Sequence, residues 1–207
     1  MKILPFTAIA EALEILKQGG VVAHATETCY GFACDLSNRA AVERLFTLKQ
    51  RATNKAISAL FSSLDQAKLY TQWPTSAKDY ENRYPGPITL IVPLNPDAPT
   101  KVHTMPGESE SASPIFKLQD SGFNSVGVRI SSHPIAQALV EAYGSPLSTT
   151  SVNIAGQPSA YSVEEILAQF AGVDAQPDLV LDSGTLPRNP SSTIIDLTSD
   201  LPKILRG

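Results

Sequence analysis

Apolar positions in the first part of the chain change period as they go, and the changes mark out elements. Ile9, Leu13 and Leu16 fall on one helical face, with Thr7 placed to cap the helix and Gly19-Gly20 to stop it. Val21 to Ala25 is a continuous apolar run of strand length. A polar loop, Thr26 to Gly31, separates it from a short strand, Phe32 to Cys34. Ser37 or Asn38 then caps a helix whose Val42, Leu45 and Phe46 face inward. Ala56 to Phe61 reads as a buried strand, and weaker helices cover Leu64 to Tyr70 and Ser76 to Tyr84. Pro85-Gly86-Pro87 breaks the chain before a strand from Ile88 to Val92.

From Leu94 to Asn124 the composition turns to Pro, Ser, Gly and charged residues, which predicts a long surface loop with a mobile middle at Gly107 to Ser113. Order returns with a strand from Val126 to Ile130. Ser132-His133-Pro134 opens a helix through Ile135, Leu139 and Tyr143 that Gly144 ends. Leu147 to Ser151 is the next strand, and Ser162 with Glu165 forms a capping box before Ile166, Leu167 and Phe170. Strands at Leu179 to Leu181, Thr193 to Leu197 and Lys203 to Leu205 complete the set. Strands interleaved with helices predict an α/β protein, a mixed sheet covered by helices.

The chain has 207 residues, 43% of them hydrophobic and 17% charged. An α/β sheet of that length is often one unit, so residues 1–207 are expected to form a single domain. No apolar run reaches the ~18 residues a membrane span requires, and the start, Met1-Lys2-Ile3-Leu4-Pro5, lacks a secretory apolar region. These features read as cytoplasmic. A net charge of -4 gives no general attraction to nucleic acid, so any site for ATP or RNA must rest on local clusters of Lys and Arg. Cys29 and Cys34 match no common redox spacing and are too few for structural zinc, so free thiols are preferred to a pair.

Three polar motifs stand where apolar segments end: Thr26-Glu27-Thr28-Cys29-Tyr30-Gly31, Lys49-Gln50-Arg51 and Ser151-Val152-Asn153. Loops at strand ends are where α/β proteins hold ligands, and these three can converge on an anionic one. Lys49 falls where the apolar stripe of its helix would continue. A cation there is costly unless an anion meets it, although a helix C-terminus also favours positive charge. Arg129, inside an apolar strand, needs a partner for its guanidinium. Blander readings stand beside these: Lys49 and Arg51 complementing a helix dipole, Ser151 and Asn153 forming an ordinary turn, Thr26 to Thr28 closing a strand end. Ser162 with Glu165 is structural. His24, His103 and His133 build no triad, and the acidic residues show no metal-ligand spacing.

Taken in order, Thr26-Glu27-Thr28, Tyr30-Gly31, Leu48-Lys49-Gln50-Arg51, Pro85-Gly86-Pro87-Ile88-Thr89, Val126-Gly127-Val128-Arg129, His133-Pro134, Ser151-Val152-Asn153 and Ser192-Thr193-Ile194-Ile195-Asp196 resemble the YrdC-like family. The resemblance covers nearly the whole chain, leaving the Leu94 to Asn124 loop unmatched. It implies a twisted open α/β sheet of mixed strand directions around a concave, positively charged cavity. It also implies an L-threonylcarbamoyladenylate synthase reaction: L-threonine, bicarbonate and ATP give threonylcarbamoyl-AMP and pyrophosphate for modification of tRNA to t6A at position 37.

By the same resemblance Lys49, Arg51, Ser151 and Asn153 contact phosphate and carbamate as the catalytic set. Thr28, Arg129, Thr149 and Ser192 line the threonine pocket, and Lys55, Ser125, Ser159 and Arg206 lie on the nucleotide side. Departures from the family pattern are Ala25 before Thr26, Ala52 after Arg51, Ala56-Ile57, Leu60 and the bulkier Val152. The chain resembles the short form of the family, for which the implied partner is the threonylcarbamoyl-transferase machinery. Two other readings belong to different classes. One is an RNA-binding module of this fold, disfavoured by the acidic charge. The other is a relative that handles carbamoyl-adenylate, whose zinc-binding cysteine pairs this sequence lacks.

Overall fold

The computed structural model describes residues 1–51, 58–98 and 124–207. Along them run β1 (Lys2–Pro5), α1 (Ile9–Lys17), β2 (Val22–Ala25), β3 (Tyr30–Ala33), α2 (Arg39–Lys49), β4 (Ser58–Leu60) and α3 (Leu64–Tyr70). A 3-10 helix (Thr75–Arg83) precedes β5 (Ile88–Pro93), β6 (Ser125–Arg129), α4 (Pro134–Tyr143), β7 (Leu147–Ser151), α5 (Val163–Phe170), β8 (Leu179–Asp182), β9 (Thr193–Asp196) and β10 (Lys203–Arg206). The strands lie in the order β1-β8-β2-β3-β7-β4-β6-β5-β9-β10. Pairs β1/β8, β2/β8, β4/β6 and β5/β9 are parallel. Pairs β2/β3, β3/β7, β4/β7, β5/β6 and β9/β10 are antiparallel, so the sheet is mixed, as the pattern predicted.

Capping chemistry fixes most helix ends. Of the two candidates before α2, Asn38 is the cap, its side chain accepting the Ala41 N–H at 3.2 Å, while Ser37 turns to Asp35. His133 accepts the Ile135 N–H ahead of Pro134 in α4, and Gly144 ends that helix at φ 80°, a left-handed conformation that favours glycine. Ser162 accepts the Glu165 N–H, but the Glu165 carboxylate reaches back to the Tyr161 N–H at 2.6 Å, one residue beyond a standard capping box.

Three local readings need correction. Thr7 does not cap α1: the cap position is Ala8, which makes no side-chain bond, and Thr7 contributes only its carbonyl to the Ile9 N–H. The segment expected as a helix over Ser76 to Tyr84 is the 3-10 helix, because only Ala77 of it is buried and no apolar stripe holds a wider coil. Strand β1 was not expected at all. It is exposed and short, and its partner β8 lies near the far end of the chain.

Helices cover both faces of the half-sheet around β2. On one face Val22, Ala33, Leu179 and Leu181 pack against Ala12 and Leu16 of α1 and Leu139 and Val140 of α4. On the other, Ala23, Phe32 and Val180 meet Leu45 and Leu48 of α2 and Ile166 and Phe170 of α5. Along β5, β6 and β9, Ile88, Leu90, Val92, Val126, Val128 and Ile195 face a third core that includes Phe61, Tyr70 and Ala77. The alternate residues on these strands face the opposite way, and the site is built from them. Among the described residues no helix is long and apolar enough to cross a membrane. The strand expected over Ala56 to Phe61 is described from Ser58 to Leu60, with Ala56 and Ile57 outside the described residues, as is most of the segment from Leu94 to Asn124.

Candidate active site

Period-2 alternation turns Thr89 and Ile91 of β5, Gly127 and Arg129 of β6, Ser58 of β4, and Thr149 and Ser151 of β7 toward a cavity of about 490 Å³. Gly127 leaves room in its floor. A Cβ at that position would stand 2.5 Å from Ser58 Oγ and 2.9 Å from Thr89 Cγ2, closer than packed atoms tolerate.

The β2–β3 connection forms one wall. Thr26 Oγ1 donates to the Cys29 carbonyl at 2.7 Å and accepts the N–H groups of Thr28 and Cys29, folding the turn on its own side chain. That places Thr28 Oγ1 3.0 Å from Thr26 Oγ1 and 3.1 Å from Nη2 of Arg129. The partner that a buried Arg129 requires is Glu27, whose Oε1 accepts from Nη2 at 2.6 Å. Sequence reading placed Glu27 in the loop but assigned it no role, because the pair spans strands far apart in the chain.

Lys49 ends α2 and is only 5% exposed. Gln50 turns the backbone left-handed at φ 47°, releasing Arg51 toward the cavity. Lys49 Nζ donates to Ser151 O at 2.6 Å, Asn153 Oδ1 at 2.9 Å and Asn153 O at 3.2 Å, which matches the three donors of an ammonium. Burial, and then the nearby charge of Arg51, push the Lys49 pKa down to about 8. Burial also lowers that of Arg51. Ser151 Oγ donates to Asn153 Oδ1 at 2.6 Å, so the second and third polar motifs are joined directly to the first cation.

On the opposite side, Arg206 of β10 donates to both the carbonyl and Oγ of Ser192 at 2.8 Å. Ser192 Oγ lies 3.5 Å from Thr89 Oγ1. Burial, then the charge of Arg129, lowers the Arg206 pKa. Of the residues singled out in the sequence, Thr28, Lys49, Arg51, Arg129, Thr149, Ser151, Asn153, Ser159, Ser192 and Arg206 line this one cavity. Ser125 opens β6 opposite Pro93 and is not among the lining residues, and Lys55 lies outside the described residues. Ser58, Thr89, Thr150 and Ser191 are further hydroxyl-bearing lining residues that sequence reading missed. The alternation within β5 and β6 is the signal that points to Thr89.

Among the described lining residues there are four cationic side chains, Lys49, Arg51, Arg129 and Arg206, and no carboxylate. Such a lining stabilises negative charge by position and field rather than by covalent attack. Cys29 also lines it, a free thiol whose pKa burial raises. Cys34 is free and fully buried. His24 is buried outside the cavity wall, its pKa pushed down to about 4 by desolvation, and His133 serves as the α4 cap. No cluster of three or more His, Cys, Asp or Glu suited to a metal occurs among the described residues.

The Sua5/YciO/YrdC family model, described as "Telomere recombination", matches residues 14–207. The chain is 34% identical over 204 residues to the threonylcarbamoyl-AMP synthase of Klebsiella pneumoniae subsp. pneumoniae, covering 96% of each. It is 32% identical over 200 residues to the threonylcarbamoyl-AMP synthase of an Enterobacter species, covering 95% of each. Among solved structures, P. abyssi Sua5 complexed with L-threonine superposes with a TM-score of 0.82 at 28% identity. That match covers 100% of this chain and 57% of the P. abyssi protein, so the chain spans a little over half its length. E. coli YciO superposes with a TM-score of 0.78 at 27% identity, covering 99% of this chain and 92% of that one.

Proposed function

The chain belongs to the Sua5/YciO/YrdC family, and from that premise we propose that it joins L-threonine, bicarbonate and ATP into threonylcarbamoyl-AMP with release of pyrophosphate. One observation carries the reading. Lys49 and Arg51 at the end of α2, Arg129 of β6 and Arg206 of β10 converge on a single cavity rich in hydroxyls and free of carboxylates among its described lining residues.

The chemistry asks for such a lining. Threonine's amine forms a bond to the carbon of bicarbonate, water is lost, and one carbamate oxygen then forms a bond to the α-phosphorus while the bond from that phosphorus to the β-phosphate bridge breaks. The threonine carboxylate, carbamate and triphosphate all bring negative charge into one place. Positioning and field therefore supply the catalysis, as they do in phosphoryl transfer. Arg129, with Thr28, Thr149 and Ser192, receives threonine, the guanidinium meeting the carboxylate. Lys49, Arg51, Ser151 and Asn153 hold phosphate and carbamate, and Ser159 and Arg206 hold the nucleotide side, where Lys55 and Ser125 are also assigned.

Mg2+ fits as an ion carried by the triphosphate, with cavity hydroxyls able to meet it directly or through water, since the lining offers hydroxyl and carbonyl oxygens rather than a carboxylate cage. When bound it lowers repulsion between the carbamate and the phosphates. The residues form one YrdC-like domain over 1–207. The product passes to a threonylcarbamoyl transferase acting on tRNA, in the cytoplasm.

The test is pyrophosphate release from ATP with Mg2+ and bicarbonate, with and without L-threonine, the adenylate being followed by mass spectrometry. Threonine-dependent release and the threonylcarbamoyl-AMP mass are expected, and both should vanish in Arg51→Ala. A folded protein that binds ATP yet shows no threonine-dependent turnover would overturn the reading. Salt-sensitive binding of RNA that ignores ATP would then favour an RNA-binding role.

A further inference from the structure

We infer that Glu27 is a positioning residue: from behind the cavity wall it holds Arg129 so that the remaining guanidinium donors are offered to a ligand carboxylate. This rests on the threonine reading above. Both side chains of the pair are largely buried, 7% exposed for Arg129 and 15% for Glu27. Arg129 and Thr28 line the cavity, whereas Glu27 does not. Among the described residues, Arg129 spends both hydrogens of Nη2 on Glu27 Oε1 and Thr28 Oγ1. Of five guanidinium N–H donors, those on Nη1 and Nε remain.

Glu27 is itself braced from three directions. Its Oε1 is tied to β6 through Arg129. Its Oε2 accepts a short bond from Ser131 Oγ, which also accepts the His133 N–H at the start of α4. Its backbone carbonyl accepts from Asn189 Nδ2 at 2.9 Å, in the segment leading to β9. The arginine is thus ordered before any ligand arrives, and the rotamer freedom that binding would otherwise remove is already gone.

Two effects of Glu27 compete. Its charge repels an anionic ligand, and its geometry organises the group that binds that ligand. The close, desolvated contact with Arg129 and the location behind the wall favour geometry. The sign of the change in Glu27→Gln therefore decides the matter.

Calorimetric titration of L-threonine, L-threoninol and ATP into wild-type and Glu27→Gln protein is the test. Loss of a charge-assisted bond predicts threonine affinity about tenfold weaker in the variant, with ATP and the carboxylate-free threoninol within about twofold. Unchanged or tighter threonine binding would overturn the inference, as would equal losses for threonine and threoninol. If Glu27→Gln does not fold, Ser131→Ala, which frees Oε2 and leaves the ion pair, should weaken threonine alone. No effect there would count against the inference. A second readout needs no substrate: side-chain NMR of Arg129 should give separate Nη–H signals in the wild type that merge by faster rotation in Glu27→Gln. Identical spectra would overturn the inference. Wild-type protein that binds no threonine would sink the proposed reaction instead, and the Arg129 spectra would still decide the role of Glu27.

Discussion

Replacing Lys49 with Met tests whether a buried ammonium has been fitted to this site. In the folded protein its pKa is about 8, against an ordinary value of 10.5. The folded state therefore binds this proton less tightly than the unfolded chain does. Between the two values the unfolded chain holds more protons, so stability rises with pH. Below about 8 the folded protein carries the full cost of the buried charge, and the cost fades as pH climbs toward 10.5. At 1.36 kcal/mol per unit that cost is about 3 kcal/mol, an upper figure because three carbonyl-type oxygens already meet the ammonium. Lys49→Met lacks this titration. Urea unfolding of both proteins across the interval should show the wild type gaining up to ~3 kcal/mol on the variant. Turnover should respond in the opposite sense. The kcat/KM for ATP falls above pH 8 as free Lys49 loses its charge, and Lys49→Arg, which stays charged, removes that limb. Parallel stability curves for wild type and Lys49→Met, or an unchanged alkaline limb in Lys49→Arg, would refute the reasoning.

Gly127→Ala forces a methyl against Ser58 and Thr89. It should cost about 2 kcal/mol, a fall of ~4–8 °C in a thermal melt, and reduce threonine-dependent pyrophosphate release. Arg129→Met leaves the Glu27 carboxylate without its cation and should destabilise by about 3 kcal/mol in denaturant titration. Adding Glu27→Gln should recover much of that stability, while threonine binding stays weak and ATP binding is spared. Asn38→Ala removes the α2 cap and should cost about 1 kcal/mol by chemical denaturation, with the pH profile of turnover unchanged.

What was legible in the sequence was local. Leu64–Tyr70 and Leu147–Ser151 have the bounds expected of them, and His133-Pro134 with Gly144 brackets α4, because caps, prolines and short apolar runs act over a few residues. Lys49 could be singled out since a cation interrupts an apolar stripe, and Arg129 since it interrupts an apolar strand. What the pattern did not reveal depends on distant partners. Strand β1 exists because β8 accepts it, and Glu27 matters because β6 brings Arg129 to it. Neither periodicity nor propensity carries that information. The ordered motifs did carry it in another form, by pointing to a known family.

Strand order also ties activity to the direction of synthesis. A nascent chain that has reached residue 190 already holds Thr28, Lys49, Arg129 and Ser151, but neither Ser192 nor Arg206. In that state β5 has its β6 side paired and its β9 side open, exposing the backbone of Ile88, Thr89, Leu90 and Ile91 to any passing strand. Arrival of β9 and β10 closes that edge and brings the last cation to the cavity together. A chain that stopped short of β9 would lack Ser192 and Arg206 of the proposed site and would present an unpaired strand edge of the kind that templates pairing with other chains.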